Sequence, residues 1–538
     1  MTLRSQNIQS LRSELFDVLI IGGGINGAVS AAALAARGVR VAIIDRGDFA
    51  SVTSQNSSNL VWGGIKYMEG YEFGLVAELC KSRNELMRSF PSTVREVRFL
   101  TTIPKRFRLH PLMLWAGTWI YWLFGRGFTK RPMYRSTKSI ANAEPLVNVS
   151  TAAAGVEYSD AYLSDNDARF VFSFIRDALK FGGVATNYVE SRKSTRDNRR
   201  GWLTEVSDTL TGETFTVRSS VVINATGPFV DELNERNGIR TDYRHVLSKG
   251  IHLLVPRLSR KERVLAFFAD DGRLFFAIPM ADRTCIGTTD TRVGEPMAQV
   301  TDDDRRFVLD NINARLNLET PLTREDVIAE RCGVRPLAVR NDVGEKGDFL
   351  QLSRKHIIET ANDERYISIF GGKLTDCLNI GNEIGEIVAR LGYGSSTPVQ
   401  RWYGEPGPEE RSRYESRARA LGLYDERAVD TDEALAVRLW RRYGQDAALM
   451  LDAIEQDRSL VEPAIEGTGI RRCELPHLAR HEMIVKLDDL LRRRSKMALI
   501  MSHQELREAD GLMDVCEALF GDAATTRYEE FFDTSADV

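Results

Sequence analysis

The stretch that decides the fold is Val18-Leu19-Ile20-Ile21-Gly22-Gly23-Gly24-Ile25-Asn26-Gly27, which joins an apolar run typical of a strand to an alanine-rich helical run. Close approach of the backbone to a pyrophosphate requires residues without Cβ at such a turn, and the following helix offers unpaired N–H groups to an anion. A second predicted strand, residues 39–44, ends at Asp45, whose carboxylate can accept hydrogen bonds from a ribose. This order of elements predicts a bound dinucleotide, FAD or NAD, and the acid argues against a 2′-phosphate. The alternative is a tight strand-to-helix turn without a ligand.

Composition narrows the class of protein. The 538 residues are enough for two or three domains of about 150 residues each. The six cysteines form no C-x-x-C pair and no metal-type spacing, so we expect neither a disulfide framework nor a metal site, and a reducing cytoplasm fits best. Residues 1–14 lack the apolar core of a secretory signal. A formal net charge of −4 argues against a nucleic-acid partner.

One segment, residues 104–135, combines seven Lys or Arg with no acid and surrounds an apolar run at 111–124. Trp115, Trp119 and Trp122 recur in that run at helical spacing. The run is too short to cross a bilayer core, which takes about 20 residues. Tryptophans prefer the membrane interface and basic flanks attract anionic headgroups. The segment therefore predicts a peripheral membrane contact, and the alternative is a buried helix with solvated basic ends.

Strands and helices alternate over the first two thirds of the chain, and helices dominate the rest. Helices are predicted at 167–181, 301–318, 324–330 and 377–391. Strands are predicted in a hairpin at 202–206 and 214–217, then at 221–224, within 246–290 and at 366–370.

The C-terminal third carries three local signals for helices. Asp430 and Glu433 have the spacing of a capping box, and Gly444 can end the helix that follows. Over 481–500 an apolar stripe of Ile484, Leu487 and Leu491 beside a dense basic face predicts one amphipathic helix.

Four segments far apart in sequence each combine glycine with a polar or cationic group: Gly63-Gly64-Ile65-Lys66-Tyr67, Gly287-Thr288-Thr289-Asp290, Gly333-Val334-Arg335-Pro336-Leu337 and Gly371-Gly372-Lys373-Leu374-Thr375. Together with the N-terminal turn, Asp48-Phe49-Ala50-Ser51 and Asn224-Ala225-Thr226-Gly227-Pro228, they resemble the motifs of FAD-dependent glycerol-3-phosphate dehydrogenases, in that family's order. The resemblance covers residues 16–392, and the helical C-terminal region is similar too.

The resemblance implies an α/β fold similar to that of D-amino-acid oxidase. A discontinuous FAD-binding, Rossmann-like domain would comprise residues 16–100, 150–245 and 330–395. A β-rich substrate-binding cap would comprise 101–149 and 246–329, with the membrane-contact segment at 104–135, and an α-helical C-terminal domain would comprise 400–530.

The resemblance also implies an enzyme that oxidises sn-glycerol 3-phosphate to dihydroxyacetone phosphate by hydride transfer to flavin N5. Electrons would pass to membrane quinone, which a protein touching the bilayer could reach. The location implied is cytoplasmic, with peripheral attachment to the inner face of the cell membrane. The sequence leaves the number of subunits open, a homodimer included.

Candidate site residues follow from the matched motifs. The catalytic candidates are Arg335 and Lys66 as cations for a phosphate, Lys373 for flavin edge and substrate, His252 as general base and Asp290 to orient that base or a substrate hydroxyl. Taken alone, Arg335 would more often be a structural ion-pair residue and His252 a satisfied core histidine. The cofactor-binding candidates are Gly22, Gly24, Ile25, Asn26, Gly27, Asp45, Arg46, Thr53, Ser54, Ser57, Ser58, Gly63, Gly64, Val189, Ala225, Thr226, Gly227, Gly371, Gly372, Lys373, Leu374 and Thr375.

The chain departs from the family pattern at several positions. The family usually has His-Gly-Gly-Leu-Arg-Tyr where this chain has Trp62 to Tyr67, Lys where Asn59 stands, and Thr-Tyr where Asp376-Cys377 stands. A carboxylate such as Asp376 near a phosphate site is unhelpful unless it points away. The departures leave two alternatives open. One is a flavin enzyme of the same fold acting on another phosphorylated polyol or an α-hydroxy or α-amino acid, and the other is a catalytically inactive membrane-bound flavoprotein.

Overall fold

The computed structural model describes residues 2–197, 201–269, 272–342, 355–361, 365–428 and 431–534. Its strands are Leu15–Ile21 (β1), Val41–Ile44 (β2), Leu60–Val61 (β3), Val94–Pro104 (β4), Met133–Arg135 (β5), Ala152–Leu163 (β6), Val184–Thr186 (β7), Val189–Arg196 (β8), Trp202–Asp208 (β9), Thr214–Asn224 (β10), Tyr243–Pro256 (β11), Arg263–Phe268 (β12), Leu274–Met280 (β13), Arg283–Gly287 (β14), Thr291–Val293 (β15), Ala329–Arg340 (β16), Ile357–Ala361 (β17), Tyr366–Phe370 (β18), Arg427–Ala428 (β19) and Thr431–Ala434 (β20).

The helices alternate with the strands at first and then follow one another. They are Leu3–Ser13 (α1), Ile25–Ala35 (α2), Phe73–Ser89 (α3), Pro111–Phe124 (α4), Thr137–Ala143 (α5), Asp167–Lys180 (α6), Val230–Arg236 (α7), Asp302–Arg315 (α8), Cys377–Arg390 (α9), Pro408–Ala420 (α10), Leu435–Tyr443 (α11), Ala447–Gln456 (α12), Leu475–His481 (α13), Met497–Ile500 (α14), His503–Glu508 (α15), Leu512–Phe520 (α16) and Ala524–Thr534 (α17). Among the residues that the structure describes, no helix is long and apolar enough to cross a membrane.

The first sheet places the glycine turn. Its order is β17-β18-β10-β1-β2-β7, and β9 and β8 continue antiparallel from β10. β1 pairs in parallel with β2 and β10, and its Val-Leu-Ile-Ile run is buried, as expected for a parallel strand covered on both faces. Helix α2 packs against α6 and α9 over this sheet. The carboxyl ends of β1, β2, β10 and β18 therefore open at one edge, where Gly22, Asp45, Ala225 and Gly371 follow.

The second sheet is mostly antiparallel and faces that edge. Its order is β15-β11-β14-β13-β12-β4-β6-β3, with β16 on β11 and β5 on β6. β16 pairs over its whole length with residues 243–254 of β11, which sets His252 opposite Arg331 and Ser248 opposite Arg335. The expected α/β fold with a β-rich second layer and a helical C-terminal region is confirmed.

Several predicted elements differ in the structure. Residues 324–330 form a single 3₁₀ turn, Arg324–Asp326, because Asp326 caps back onto Thr323 and pairing with β11 takes over at Ala329. The predicted capping box fails at Glu433, which lies in strand β20, while Asp430 lies outside the described residues. Gly444 ends α11 as expected.

The predicted helix over 481–500 is also wrong. The segment breaks into the end of α13, a π-helical turn Asp489–Arg494 and the short helix α14. Leu487 and Leu491 are buried as expected, but Arg493 and Arg494 are buried too, because both bind the carboxylate of Asp48. The basic face is therefore a buried domain contact instead of a solvated surface.

Candidate active site and cofactor cleft

The glycines of the N-terminal turn serve three different purposes. Gly22 has φ +106°, and a Cβ there would lie 2.5 Å from the Ala225 carbonyl oxygen. A Cβ on Gly27 would lie 1.9 Å from the carbonyl oxygen of Gly22, so this glycine lets helix and strand pack. A Cβ on Gly24 would meet only the Ser54 hydroxyl, at 3.2 Å, where α2 begins. Gly24 thus keeps the helix N-terminus open toward the cleft.

Asp45 follows β2 at the edge of the same cleft. Its carboxylate accepts hydrogen bonds from the N–H of Gly23 at 2.6 Å and of Gly47 at 2.9 Å. Burial raises the pKa of Asp45 to about 6, and the two N–H donors oppose that rise. At neutral pH the group is mostly ionised and can accept hydrogen bonds from a ribose.

Two cavities share Thr53, Pro336, Gly371 and Gly372 in their walls and so form one continuous cleft. The predicted residues that line the first part are Gly22, Gly24, Ile25, Asn26, Asp45, Arg46, Thr53, Ser54, Val189, Ala225, Thr226, Gly227, Gly371 and Gly372. The second part has a volume of about 820 Å³, and the predicted residues in its wall are Thr53, Ser57, Ser58, Lys66, His252, Asp290, Arg335, Gly371, Gly372, Lys373, Leu374 and Thr375.

Three predicted cofactor residues, Gly27, Gly63 and Gly64, do not line either cavity. A Cβ on Gly63 would lie 2.2 Å from the hydroxyl oxygen of Tyr121, and Gly64 has φ +77°. The N–H of Gly63 donates to the buried Asp160 at 3.0 Å. Gly63 and Gly64 therefore allow close packing next to the cavity without lining it. Contact of Gly27, Gly63 or Gly64 with the cofactor stays a prediction.

Arg335 lies on β16 with its guanidinium at the second cavity. It donates to the hydroxyl of Thr288 at 2.8 Å and to the carbonyl of Thr289 at 3.2 Å, and it lies 3.5 Å from a carboxylate oxygen of Asp290. Asp290 also accepts a hydrogen bond from Ser248. The arginine is about one quarter exposed, so it is oriented by these contacts and still reaches the cavity.

His252, on β11, lines the same cavity and is 2% exposed. Neither ring nitrogen has a hydrogen-bond partner in the described protein. Burial, followed by the charges of Arg331 and Arg335, lowers the pKa of His252 well below its ordinary value. The ring is therefore neutral at neutral pH and has a nitrogen able to accept a proton.

Lys373 follows the Gly371-Gly372 turn and lines the same cavity. Its ammonium nitrogen lies 3.7 Å from the centre of the Tyr67 ring, a cation–π contact that directs the side chain into the cavity. Tyr67 packs against Trp62, which also contacts Phe276, so these three aromatic residues form one group in the cavity wall.

The charges around the second cavity are unequal. Among the residues that the structure describes, its wall has six cationic residues against three carboxylates, Glu69, Glu72 and Asp290. The cations are Lys66, Arg108, Arg273, Arg335, Lys355 and Lys373. Such a wall favours an anion, and arginine and lysine are the usual donors to phosphate.

Sequence reasoning missed Arg331, which is fully buried four residues before Arg335 on β16. Its guanidinium donates to the carbonyls of Ser57 at 2.7 Å and Gln55 at 3.1 Å, and it pairs with Asp167 at 2.9 Å. It therefore holds the loop that lines both cavities. The sequence offers one signal for a role of Arg331 near the site, which is its position four residues before Arg335 with Gly333 between them.

The departures from the family pattern divide into two groups. Trp62 and Lys66 line the cavity. Asn59 is buried and donates to the Asp165 carbonyl at 2.8 Å, away from the cavity. Asp376 also points away, onto His356 at 2.5 Å, so its carboxylate does not oppose an anion in the cavity.

Comparison with known proteins places the chain. A family model described as FAD-dependent oxidoreductase matches residues 17–362, more than half of the chain, and one described as the C-terminal domain of alpha-glycerophosphate oxidase matches residues 410–527. The glycerol-3-phosphate dehydrogenase of Pseudomonas aeruginosa is 31% identical, over 91% of this chain and 93% of its own length. The chain belongs to the FAD-dependent glycerol-3-phosphate dehydrogenase family.

Further members and structures agree with this membership. The aerobic glycerol-3-phosphate dehydrogenase of Escherichia coli K12 is 30% identical over 93% of this chain and 98% of its own length. The glycerol-3-phosphate dehydrogenase of Bacillus halodurans complexed with FAD superposes with a TM-score of 0.74 at 24% identity, over 98% of this chain and 97% of that chain. The protein is thus an oxidoreductase whose cofactor is FAD.

The cleft fits this cofactor. The glycine turn leaves room that a Cβ would fill, the N-terminus of α2 faces the cleft, and Asp45 can accept from a ribose. The two cavities meet at Gly371 and Gly372, so a group bound at the turn can extend into the second cavity. The six Lys and Arg residues of that cavity make it a cationic chamber. When bound, FAD supplies a ring system that accepts two electrons from an alcohol.

Proposed function

We propose that the protein oxidises sn-glycerol 3-phosphate to dihydroxyacetone phosphate. The observation that carries this proposal is the cationic chamber at the end of the cofactor cleft, which pairs Arg335 and Lys373 with a neutral, buried His252. The relatives add support, because they are named glycerol-3-phosphate dehydrogenases and the chain matches them over nearly their whole length.

Each residue has a distinct proposed task. Arg335 binds the phosphate with its planar guanidinium, while Lys373 and Lys66 add charge from elsewhere in the cavity wall. His252 accepts the proton of the C2 hydroxyl, for which a neutral imidazole is the required form. Asp290 holds Arg335 in place and so acts through it.

We further propose membrane quinone as the electron acceptor, reached by peripheral attachment of the protein to the inner face of the cell membrane. An apolar face, formed by Leu112, Met113, Ile120 and Leu123 of α4, is exposed. Tyr71 and Phe73 extend it, since Phe73 contacts Phe124 at 6.2 Å between ring centres.

The cavity opens beside this apolar face. Glu69, Gly70 and Glu72 line the cavity and flank the exposed Tyr71, and Arg108, just before α4, lines it too. Exposed cations surround α4: Lys105, Arg106, Arg108, Arg126, Lys130 and Arg131. An acceptor dissolved in lipid would therefore meet the cavity where the protein meets the membrane.

Anaerobic addition of glycerol 3-phosphate to the purified holoenzyme tests the proposal by flavin absorbance. We expect full bleaching for the wild type and a rate about 10²- to 10⁴-fold lower for His252→Gln, the usual contribution of a general base. Because the pKa of His252 is lowered, the wild-type rate should fall only well below pH 6.5. His481→Gln, on an exposed position, is the control.

Other outcomes would select the alternatives. Bleaching by another phosphorylated polyol, an α-hydroxy acid or an α-amino acid, but not by glycerol 3-phosphate, would assign a different substrate to the same fold. A flavin that no substrate bleaches would indicate an inactive flavoprotein. A His252→Gln enzyme with wild-type rate would remove that residue from the mechanism.

A further inference from the structure

The turn that carries Lys373 is held at both ends. At its start, the N–H of Gly371 donates to His245 Nε2 at 3.2 Å, and the carbonyl of Gly371 accepts from Asn26 at 3.0 Å. Further along, the hydroxyl of Thr375 donates to the carbonyl of Trp62 at 3.1 Å. The position of Lys373 therefore depends on contacts outside the cavity.

The far end of the turn is Asp376, which is buried and binds His356, the residue just before strand β17. His356 Nδ1 lies 2.5 Å from one oxygen of Asp376, and His356 Nε2 lies 2.9 Å from Glu383 on α9. Asn379 donates to the other oxygen of Asp376 at 2.7 Å. A ring whose two nitrogens both face carboxylates donates from both, which is the protonated form.

His356 also borders the cavity through its neighbour. Lys355, the preceding residue, lines the cationic chamber, and its carbonyl oxygen lies 3.3 Å from the place where a Cβ on Gly371 would stand. The contact between His356 and Asp376 thus joins the start of β17 to the 371–376 turn. Each of these two segments carries one lysine of the chamber, Lys355 before β17 and Lys373 in the turn.

We infer that His356 is a positioning residue for anion binding, because its ring, held between Asp376 and Glu383, joins the two segments that bring Lys355 and Lys373 to the wall of the cationic chamber. The inference rests on the proposed function, which places the substrate phosphate in this chamber. It also explains why a carboxylate at Asp376 is compatible with an anion site.

The charges around the ring support this assignment. Burial lowers the pKa of His356, but hydrogen bonds first to Asp376 and then to Glu383 outweigh it and raise the pKa to about 9. Among the described residues, the charged groups that contact the ring are Asp376 from the turn and Glu383 from α9, and the charge of Lys355 acts on Glu383. The ring is thus cationic at neutral pH. Its bonds to the two carboxylates weaken as the pH rises through about 9, because the ring then loses a proton.

Two measurements on the holoenzyme test the inference: calorimetric titration with inorganic phosphate, and KM and kcat for glycerol 3-phosphate between pH 7 and 10. For His356→Gln at pH 7 we expect both the phosphate Kd and KM to rise about tenfold, with kcat within about twofold, as for the loss of one charged hydrogen bond. In the wild type KM should rise above pH 9, and in the variant that rise should be absent. Asp376→Asn should behave like His356→Gln.

Glu386→Gln is the matched control, since Glu386 lies on α9 like Glu383 and is not a hydrogen-bond partner of His356. If His356→Gln does not retain flavin, Glu383→Gln, which removes the more exposed partner, should shift the same quantities in the same direction by less. A phosphate Kd within twofold of wild type, or an unchanged rise of KM above pH 9, overturns the inference. A wild type that binds phosphate but does not oxidise glycerol 3-phosphate would contradict only the proposed function.

Discussion

At the scale of single residues, the cofactor turn shows which glycines the fold itself requires. Gly22 has a positive φ, and Gly27 lies so close to the carbonyl of Gly22 that a Cβ would not fit. The fold therefore requires glycine at both positions even without a ligand. Gly24 has an ordinary φ, and a Cβ there would meet only the Ser54 hydroxyl, so its lack of Cβ matters for the ligand instead.

Gly27→Ala should therefore destabilise the folded protein and release the cofactor. The new methyl group would lie 1.9 Å from the carbonyl oxygen of Gly22, a backbone atom that cannot move alone. Overpacking of this kind costs about 1–3 kcal/mol. Chemical unfolding and the flavin content of the purified variant measure the effect.

Gly74→Ala is the control for that change. Gly74 lies in α3, and a Cβ there meets no atom within 4 Å. The substitution should leave flavin content unchanged and raise stability by up to about 1 kcal/mol, because alanine favours a helix. Equal flavin loss in both variants would contradict the steric argument.

At the scale of elements, α4 presents a different face from the one that tryptophan spacing predicts. Trp115, Trp119 and Trp122 are only partly exposed and pack on one another, and Trp122 donates to the carbonyl of Thr129 at 2.7 Å. The outward residues are aliphatic, with Met113 61% and Leu123 63% exposed. An exposed apolar stripe of this size on a helix is typical of an interaction surface.

Replacing Leu112, Met113, Ile120 and Leu123 with serine should abolish vesicle binding. Burying an exposed aliphatic side chain contributes about 1.5–3 kcal/mol, so removing four should lower partitioning far more than tenfold. Flotation of the holoenzyme with anionic vesicles measures it. Leu449→Ser, at a 52% exposed leucine of α12, is the control and should float like the wild type.

Two results would contradict the membrane proposal. One is a wild type that stays in the soluble fraction with anionic vesicles. The other is a quadruple variant that floats as well as the wild type, which would assign binding to the surrounding cations alone.

At the scale of the whole molecule, buried ion pairs join the helical C-terminal region to the segments that follow β2 and β6. Asp48 accepts from Arg493 at 2.8 Å and from Arg494 at 2.7 and 2.9 Å. Asp165 pairs with Arg441 and, at 3.2 Å, with Arg442. Both carboxylates are almost completely buried, so each depends on its arginine partners.

These pairs predict sensitivity to acid. Burial raises the pKa of Asp48 and of Asp165, but the arginines outweigh it and hold both below the ordinary value of 3.8. A lowered folded-state pKa contributes stability that is complete above the unfolded value and is lost as the pH falls through the folded one. The thermal midpoint of the wild type should therefore fall steeply below about pH 4, the unfolded pKa of an aspartate.

Asp48→Asn should lower the midpoint at pH 7, because it leaves Arg493 and Arg494 without their shared carboxylate. Breaking a buried pair costs about 3–5 kcal/mol. The control is Asp303→Asn, whose ion pair with Arg306 is exposed and should contribute less than about 1 kcal/mol. Equal midpoints for the two variants would contradict a stabilising role for the buried pairs.

Prediction from sequence succeeded where the signal is local. The Gly22–Gly27 turn, the helix at 167–180 and the strand at 366–370 each carry their own pattern of apolar residues and caps. It failed at 324–330 and 481–500, where pairing with β11 or contact with Asp48 outweighs helical periodicity. The spacing of Arg331 and Arg335 could not predict the partners of Arg331, since Ser57 and Asp167 lie more than 160 residues away in the sequence.

The sequence by itself determined the nucleotide-binding turn, the α/β class and the set of cationic motifs, because steric limits at glycine and the period of apolar residues act over short stretches. Only the tertiary structure decided which cations meet. Register between β11 and β16 sets Arg331 opposite His252 and Arg335 opposite Ser248. His252 and Arg335 both line the chamber, and the turn after β18 brings Lys373 to the same chamber. Long-range packing also turned Asp376 toward His356, because a buried carboxylate is stable only beside a partner.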